Sequence, residues 1–331
     1  MTWRRALKKI DLPIPKQLVG YFPPRWLFRR QVVKWTGDPA LRRQLPLLYR
    51  ALGIYCSLYF KIMPQSSYLP LGSVLVKALS VIQSLLPDDG YRRIEVGDVQ
   101  ICLDMTDSRF LKVVNELKSD RNTSVLKHFL QEGDTFIDVG ANQGGYSVIA
   151  GELVGTAGQV IAFEPQKRLA RAVKRSLRNS PANYEVHQIA LGDVNEEVEL
   201  IIPDAYSGRA GLFSDFSGAS DHHSNKVYLR RFDDYMHGVD FTGKVFIKLD
   251  IEGSEYKFLR GASKIIRHKT PYILMEVNPV ALRASDTSFE DLKILLSNIG
   301  YKNYIYVEDT SKKYPIDSLS FKNQRNIVVV P

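Results

Sequence analysis

The chain contains 331 residues, of which 44% are hydrophobic and 24% are charged, a composition typical of a globular protein with one large core and an appended segment. Its net charge of +9 is local: residues 1–50 hold twelve Lys and Arg against two Asp, and the remaining residues hold 33 basic against 34 acidic side chains. The body of the protein is therefore electrically balanced, and any argument for a nucleic-acid partner rests on the N-terminus alone.

The cysteine content and the apolar runs point to the compartment. Two cysteines, Cys56 and Cys102, cannot build a disulfide framework and lie in no zinc-binding spacing. The longest apolar stretches, residues 51–60 and 81–86, are shorter than the roughly 20 residues that span a bilayer. The basic N-terminus also lacks the apolar core and cleavage site of a secretory signal. We therefore expect a cytoplasmic protein.

The first segment, residues 1–87, mixes aromatic, basic and proline residues, and apolar spacing over 71–86 predicts that it is mainly helical. Pro87-Asp-Asp-Gly90 predicts a turn, so we place a domain boundary there and a second domain at 88–331. We favour helices packed over the core with a solvated basic face. The alternative is peripheral contact with an anionic membrane or a partner protein.

The second domain has the pattern of an α/β fold. Residues 92–104 alternate around Gly97-Asp98, which predicts a hairpin, and a helix is expected over 108–131. Short β-rich runs then alternate with helix-length segments, which predicts a parallel sheet with helices on both faces. The expected core strands are 135–139, 159–164, 184–190, 244–250 and 271–278. Two further strands, 198–203 and 227–232, lie in an insertion, and 301–308 and 325–330 form a terminal antiparallel pair.

The first core strand ends in Asp138, and a glycine-rich turn follows it directly. In such sheets the ligand lies beyond the carboxyl ends of the strands, where glycines let the backbone approach it closely. A pyrophosphate-binding turn has glycine where this chain has Asn142. The acid before the turn suits a ligand with an ammonium group, such as S-adenosylmethionine. The predicted binding residues of the turn are Asp138, Gly140, Ala141, Asn142 and Gly144.

Acids also follow the next two predicted strands. Glu164 ends the second strand, where a carboxylate can accept hydrogen bonds from ribose hydroxyls. Asp193 follows Ala190-Leu191-Gly192 at the expected end of the third strand, where an adenine ring could lie. We therefore add Glu164 and Asp193 to the predicted cofactor contacts.

Charge is concentrated after the fourth and fifth predicted strands. Asp250 and Glu252 follow the fourth, and Glu276 and Asn278 end the fifth. We predict Asp250, then Glu276, as the group that accepts a proton or orients a hydroxyl, with Glu252 beside them. Glu255 is expected to cap the following helix. Oxygen atoms of Asp250, Glu276 and Asn278 could also hold a hard cation such as Mg²⁺, so a divalent metal remains open.

Five sequence blocks, taken together, resemble the FkbM-type methyltransferase domain, a class I S-adenosylmethionine-dependent family. The resemblance covers roughly residues 92–300 and implies a seven-stranded Rossmann-like sheet, donor contacts at the glycine-rich turn and at Glu164, and an acceptor facing the block around Asp250. Such proteins are associated with O-methylation of sugar or natural-product hydroxyls. The blocks, in chain order, are DVGANQGGYS, FEP, IALGD, KLDIEGSEYKFLRGA and ILMEVNP.

Other interpretations remain open beside this one. His222 and His223, in the expected loop of the insertion, are alternative bases. Methylation of RNA would use the basic N-terminus, but no catalytic cysteine or Asn/Asp-Pro-Pro turn supports base chemistry, so nucleic acid is disfavoured. A nicotinamide-dependent oxidoreductase is disfavoured by Asp138 and Asn142. A non-catalytic, membrane-peripheral module is the third alternative.

Overall fold

The computed structural model describes residues 90–105, 107, 110–118, 120–203 and 222–331. The predicted extension 1–87 and its boundary lie outside these residues, as does the centre of the insertion, residues 204–221. In the described part of the chain, no helix is both long enough and apolar enough to cross a membrane.

The described elements follow one another in the order that the sequence predicted. The strands are β1 (Tyr91–Val96), β2 (Val99–Asp104), β3 (Thr135–Val139), β4 (Gln159–Phe163), β5 (Asn183–His187), β6 (Ala190–Gly192), β7 (Glu196–Pro203), β8 (His222–Arg231), β9 (Val245–Leu249), β10 (Tyr272–Val277), β11 (Asn303–Tyr306), β12 (Asp309–Pro315) and β13 (Arg325–Val330). The helices are α1 (Phe110–Leu117), α2 (Asp120–Phe129), α3 (Gly145–Val154), α4 (Lys167–Leu177), α5 (Phe232–Tyr235), α6 (Glu255–Gly261), α7 (Ser263–Lys269), α8 (Pro279–Ala284) and α9 (Phe289–Asn298).

The main sheet is mostly parallel, as predicted, and has the order β12-β11-β13-β10-β9-β3-β4-β5. The five strands from β10 to β5 are parallel, and β13 runs antiparallel to both of its neighbours. The predicted antiparallel pairing of 301–308 with 325–330 is therefore confirmed. Eight strands are present where seven were expected, because β12 extends the edge beyond β11. β12 has the sequence DTSKKYP. Because these residues are mostly polar, they lack the apolar alternation that predicts a strand.

The centre of the sheet is buried on both faces, which explains why its strands are continuous apolar runs. Successive side chains of β9 point to opposite faces. Phe246 lies against Phe129 of α2 on one face, with ring centroids 5.9 Å apart. Ile247 belongs, on the other face, to a buried cluster with Phe258 of α6. Helices on both faces therefore cover β9 and leave only its carboxyl end for polar chemistry.

A second, three-stranded sheet corrects two predictions about the insertion. Its order is β6-β8-β7, with β7 and β8 antiparallel. The predicted third strand, 184–190, is two strands: β5 ends at His187, and β6 belongs to the second sheet. The predicted end of the third core strand at Asp193 was therefore wrong. His222 and His223 were expected in a loop, but their backbone lies in β8, opposite Pro203 and Ile202.

The segment before the sheet was predicted in part. The hairpin of β1 and β2 is confirmed, with Val96 opposite Val99 across the turn. The single helix expected over 108–131 is instead two helices, α1 and α2.

Candidate functional site

Strand register brings the predicted site residues to one edge of the main sheet. Asp138 of β3 lies opposite Lys248 of β9, and Lys248 lies opposite Leu274 of β10. The pairing continues to Val139, Leu249 and Met275, so Gly140, Asp250 and Glu276 are the residues that come next at this edge. Three segments far apart in the sequence therefore meet in one row at the carboxyl edge.

The glycine-rich turn begins this row. Gly140 has a φ of 78°, and a Cβ there would lie 2.1 Å from the backbone oxygen of Asp250. Asn142 has a φ of 52°, a left-handed conformation that asparagine tolerates better than most residues. The turn therefore packs directly against the β9 segment, and this contact requires the glycine.

Glu164 holds the turn from the neighbouring strand. Its carboxylate is buried at 3% exposure and accepts the backbone N–H groups of Asn142 and Gln166, each at 2.9 Å. Glu164 thus lies next to the turn, as the sequence predicted, and its role as a ribose contact stays a prediction.

The hairpin of β1 and β2 covers the turn from outside the main sheet. The side-chain oxygen of buried Gln143 accepts the backbone N–H of Asp104 at 2.7 Å. The Asp104 carboxylate binds Arg168 of α4 through two atoms, at 2.7 and 2.9 Å. The hairpin is therefore fastened both to the turn and to the helix that follows Glu164.

Asp138 is fully buried beneath the turn and has protein partners. Ser147 Oγ donates to its Oδ2 at 2.6 Å, and Lys248 Nζ lies 3.6 Å from its Oδ1. Burial raises the pKa of Asp138 above its usual range, although Lys248 and Ser147 act in the opposite direction. The cation that faces Asp138 in the structure is thus Lys248, and contact with a donor ammonium stays a prediction.

Lys248 connects the turn to Asp250. Its ammonium donates to the carbonyl of Gly140 at 3.0 Å and lies 3.4 Å from Asp250 Oδ2. Burial lowers the pKa of Lys248, but Asp250 and Asp138 outweigh burial and raise that pKa above its usual value. The lysine therefore stays charged. Asp250 differs from Asp138 because 29% of its side chain is exposed, so its carboxylate can meet a ligand.

The turn after β9 is held by Glu255. Its carboxylate accepts the N–H groups of Ile251 and Gly253, each at 3.0 Å, and its burial raises its pKa to about 8. Glu255 is the first residue of α6, so the structure agrees with the capping position expected for it. Glu252 lies in this turn with a φ of 51°, and its catalytic role stays a prediction.

The residues proposed for a metal have other partners. Glu276 accepts a hydrogen bond from Gln324 Nε2. The side-chain oxygen of Asn278 accepts the N–H groups of Val280 and Ala281 at 3.0 and 3.4 Å, and so caps α8. Among the described residues, no group of three or more His, Cys, Asp or Glu side chains is arranged to hold a metal ion.

Asp193 lies apart from the row. It follows β6 in the second sheet, where its carboxylate pairs with Arg260 of α6 at 3.2 Å. Nearby, a Cβ on Gly261 would lie 1.8 Å from the oxygen of Gly192, so this glycine pair brings α6 against β6. The contact of Asp193 with adenine stays a prediction.

Sequence reasoning missed three residues that organise the site: Ser147, Gln143 and Gln324. Ser147 had a local signal, because it lies in the first turn of α3 and α3 directly follows the glycine-rich turn. Gln143 and Gln324 contact residues 39 and 48 positions away, and no local pattern reports such contacts.

The comparisons with known proteins agree with this geometry. A family model described as the methyltransferase FkbM domain matches residues 138–303, the stretch from the first strand-end acid to the start of β11. The search of curated proteins found no match.

The solved structures that match this chain are distant from it in sequence. The FkbM methyltransferase of Methylobacillus flagellatus KT is 16% identical, covering 89% of this chain and 72% of that one, with a TM-score of 0.38. A SAM-dependent methyltransferase from Aquifex aeolicus is 13% identical over 65% of this chain and 91% of that one, with a TM-score of 0.36. Aeropyrum pernix fibrillarin, solved with natively bound S-adenosyl-L-methionine, is 14% identical over 65% of this chain and 76% of that one, with a TM-score of 0.36.

Proposed function

The chain belongs to the FkbM methyltransferase family, and from this premise we propose that it is an O-methyltransferase acting on a hydroxyl group of a sugar or natural-product acceptor. The observation that carries the proposal is the position of Asp250. Asp250 follows β9, its backbone oxygen adjoins Gly140 of the glycine-rich turn, and its carboxylate is partly exposed.

The residues around the turn fit S-adenosylmethionine. Glu164 follows β4, and its carboxylate accepts the backbone N–H of Asn142 in the turn. The contact of Gly140 with the Asp250 backbone keeps the turn within van der Waals distance of β9, so a ligand on the turn lies next to Asp250. We assign donor binding to Glu164 and to the backbone of residues 140–144.

Methyl transfer to a hydroxyl needs alignment, exclusion of water and removal of one proton. Bound S-adenosylmethionine supplies a methyl group that is already activated by its positively charged sulfur. Asp250 accepts the hydroxyl proton as the acceptor oxygen gains the methyl group. Lys248, 3.4 Å from Asp250 Oδ2, fixes the direction of that carboxylate. Glu276, in the same row, is the second candidate for the base.

The test is methyl transfer from tritiated S-adenosylmethionine into extract fractions of the source organism, with wild type and Asp250→Asn. We expect label in glycan or small-molecule fractions, and a loss of rate of about 10²–10⁴-fold in the variant, as for other positioned bases. Donor affinity should change less than about threefold, because Asp250 does not hold the donor in this scheme. Label confined to protein or RNA, or normal turnover by Asp250→Asn, would contradict the proposal.

We also propose that the basic N-terminal segment, residues 1–87, makes peripheral contact with an anionic membrane. Twelve basic residues against two acidic ones in residues 1–50 support it, since each basic residue near such a surface contributes about 1 kcal/mol. Deleting residues 1–87 should abolish binding to phosphatidylserine vesicles and leave donor binding intact. Unchanged vesicle binding would refute this contact.

A further inference from the structure

Tyr146 lies beside the candidate site and has no part in the mechanism described above. It is the second residue of α3 and comes directly after the glycine-rich turn, and its side chain is half-buried. The ammonium nitrogen of Lys248 lies over the tyrosine ring, 5.4 Å from the ring centroid. A cation within about 6 Å of the centroid is attracted by the negative face of such a ring. The ring thus joins the three oxygen partners of Lys248 already described.

The ammonium of Lys248 is shared between two carboxylates. It lies 3.4 Å from Oδ2 of Asp250 and 3.6 Å from Oδ1 of Asp138, and the second distance is too long for a hydrogen bond. Oδ1 of Asp138 is buried and accepts no hydrogen bond within the described part of the chain, which is costly for a buried acceptor. A shift of the ammonium towards Asp138 would satisfy this oxygen at the expense of the contact with Asp250.

The first turn of α3 acts on both members of this ion pair. Ser147 Oγ donates to Oδ2 of Asp138 at 2.6 Å, and the ring of the preceding residue, Tyr146, contacts the ammonium of Lys248. A lysine carries its charge at the end of a flexible four-carbon stem. A ring on a helix can therefore limit the movement of an ammonium that its own stem leaves free to move.

α1 packs against the same turn of α3 and contributes charge. A Cβ on Gly145 would lie 3.2 Å from Cγ1 of Val113, and Glu116 lies three residues further along α1, on the same face of the helix. Burial raises the pKa of Tyr146 above its usual value, with a further increase from Glu116, although Lys248 acts in the opposite direction. The hydroxyl therefore stays protonated, and the contact with Lys248 is that of a cation with a neutral ring.

We propose that Tyr146 is a positioning residue for methyl transfer: its ring holds the ammonium of Lys248 near Asp250, and Lys248 in turn directs the carboxylate of Asp250 towards the acceptor hydroxyl. The proposal rests on the methyl-transfer function proposed above and adds to it a residue that acts through Lys248. The role belongs to the aromatic ring and does not require the hydroxyl group.

The test compares a variant that keeps the ring, Tyr146→Phe, with one that removes it, Tyr146→Leu. The rate is measured on the full-length protein with tritiated S-adenosylmethionine and the extract fraction that wild type labels, and calorimetry gives the donor affinity. The matched control is Tyr314→Leu, because the Tyr314 ring lies 5.2 Å from the ammonium of Lys312. That pair belongs to β12, at the other end of the main sheet order from β5.

We expect Tyr146→Leu to lower kcat by about tenfold or more, because a misplaced reacting group can cost about 10²-fold. Donor affinity should change by less than about threefold, and Tyr146→Phe and Tyr314→Leu should keep kcat within about threefold of wild type. An equal loss of rate in Tyr146→Phe and Tyr146→Leu would overturn the role of the ring. An unchanged rate in Tyr146→Leu would overturn the positioning role altogether.

Urea denaturation separates this proposal from the proposed function. Wild type, Tyr146→Leu, Lys248→Met and the double variant together give the coupling between the two side chains. Because Lys248 is buried, the coupling should amount to about tenfold or more in the unfolding equilibrium constant, as for a desolvated cation over a ring. A coupling below about twofold would refute the hold on Lys248. A tenfold coupling in a protein that transfers no methyl group would refute methyl transfer and leave that hold in place.

Discussion

The two halves of the sheet edge are built differently. The donor half, formed by the glycine-rich turn, Asp138 and Glu164, is buried, and its polar groups are bonded to backbone and side chains nearby. The half that we propose for the acceptor, formed by Asp250 and Glu276, is partly exposed and joins segments far apart in the chain. A site for a fixed donor can be rigid and local, whereas a site for a variable acceptor is assembled from surface segments that tolerate change.

The largest effect is expected from a substitution at Gly140, where the two halves are in contact. In Gly140→Ala, the new Cβ would lie 2.1 Å from the Asp250 backbone oxygen, at a φ of 78°. We expect a fall in the free energy of unfolding of more than about 4 kcal/mol and no measurable donor binding. Urea denaturation and calorimetry measure the two quantities.

The matched control is Gly97→Ala in the hairpin of β1 and β2. Its φ of 61° imposes similar backbone strain, but no atom lies within 4 Å of the added Cβ. We expect a cost of about 1–2 kcal/mol, the usual penalty of a left-handed backbone, with intact donor binding. Equal losses in the two variants would show that strain, and not the close approach of the halves, governs Gly140.

A smaller effect on stability is expected from removing the positive charge of Lys248, which lies near both Asp138 and Asp250. Lys248→Met removes the cation between Asp138 and Asp250 and leaves the buried Asp138 carboxylate without its counter-charge. We expect destabilisation of about 3 kcal/mol, as when one partner of a buried ion pair is removed. Adding Asp138→Asn in the same chain should restore part of the loss. A single variant as stable as wild type in urea denaturation would exclude this coupling.

Per pH unit, the smallest expected effect concerns Glu255, which holds the turn after β9. Burial raises the pKa of Glu255 to about 8 from an unperturbed 4.5, so between these values the folded protein keeps a proton that the unfolded chain has lost. Wild-type stability should therefore fall as pH rises from 4.5 to 8, by at most about 1.4 kcal/mol per pH unit. Glu255→Gln cannot ionise and should lack this slope. Parallel pH profiles from urea denaturation at pH 5.5, 6.5 and 7.5 would contradict the assignment.

Asp138, the glycine-rich turn and Glu164 are the part of the candidate site that could be predicted from the sequence. Asp138 and the turn are consecutive, and Glu164 ends the next strand, so one βαβ unit carries the signal. The succession of strands along the chain was predicted from the alternation of apolar runs and helix-length segments. These features can be read from local sequence, without knowledge of distant contacts.

The errors and omissions share a physical cause, which is dependence on distant contacts. His187 and Ala190 are three residues apart, yet they end and begin strands of different sheets, and their common apolar run gave no sign of the change. β12 is polar on an exposed edge and exists through its pairing with β11. The bond from Gln324 to Glu276 spans 48 residues, so only the folded chain shows it.

The central claim is that the two halves have separate tasks, and parallel calorimetric titrations of S-adenosylmethionine test it most directly. The samples are wild type, Glu164→Gln in the donor half and Glu276→Gln in the acceptor half. Glu164→Gln replaces the carboxylate proposed to accept hydrogen bonds from the donor by a neutral amide, and a hydrogen bond to a charged group contributes about 1.5–3 kcal/mol, so its donor affinity should fall by about tenfold or more. Wild type and Glu276→Gln should bind alike. Equal weakening in both variants, or no binding by wild type, would contradict the account.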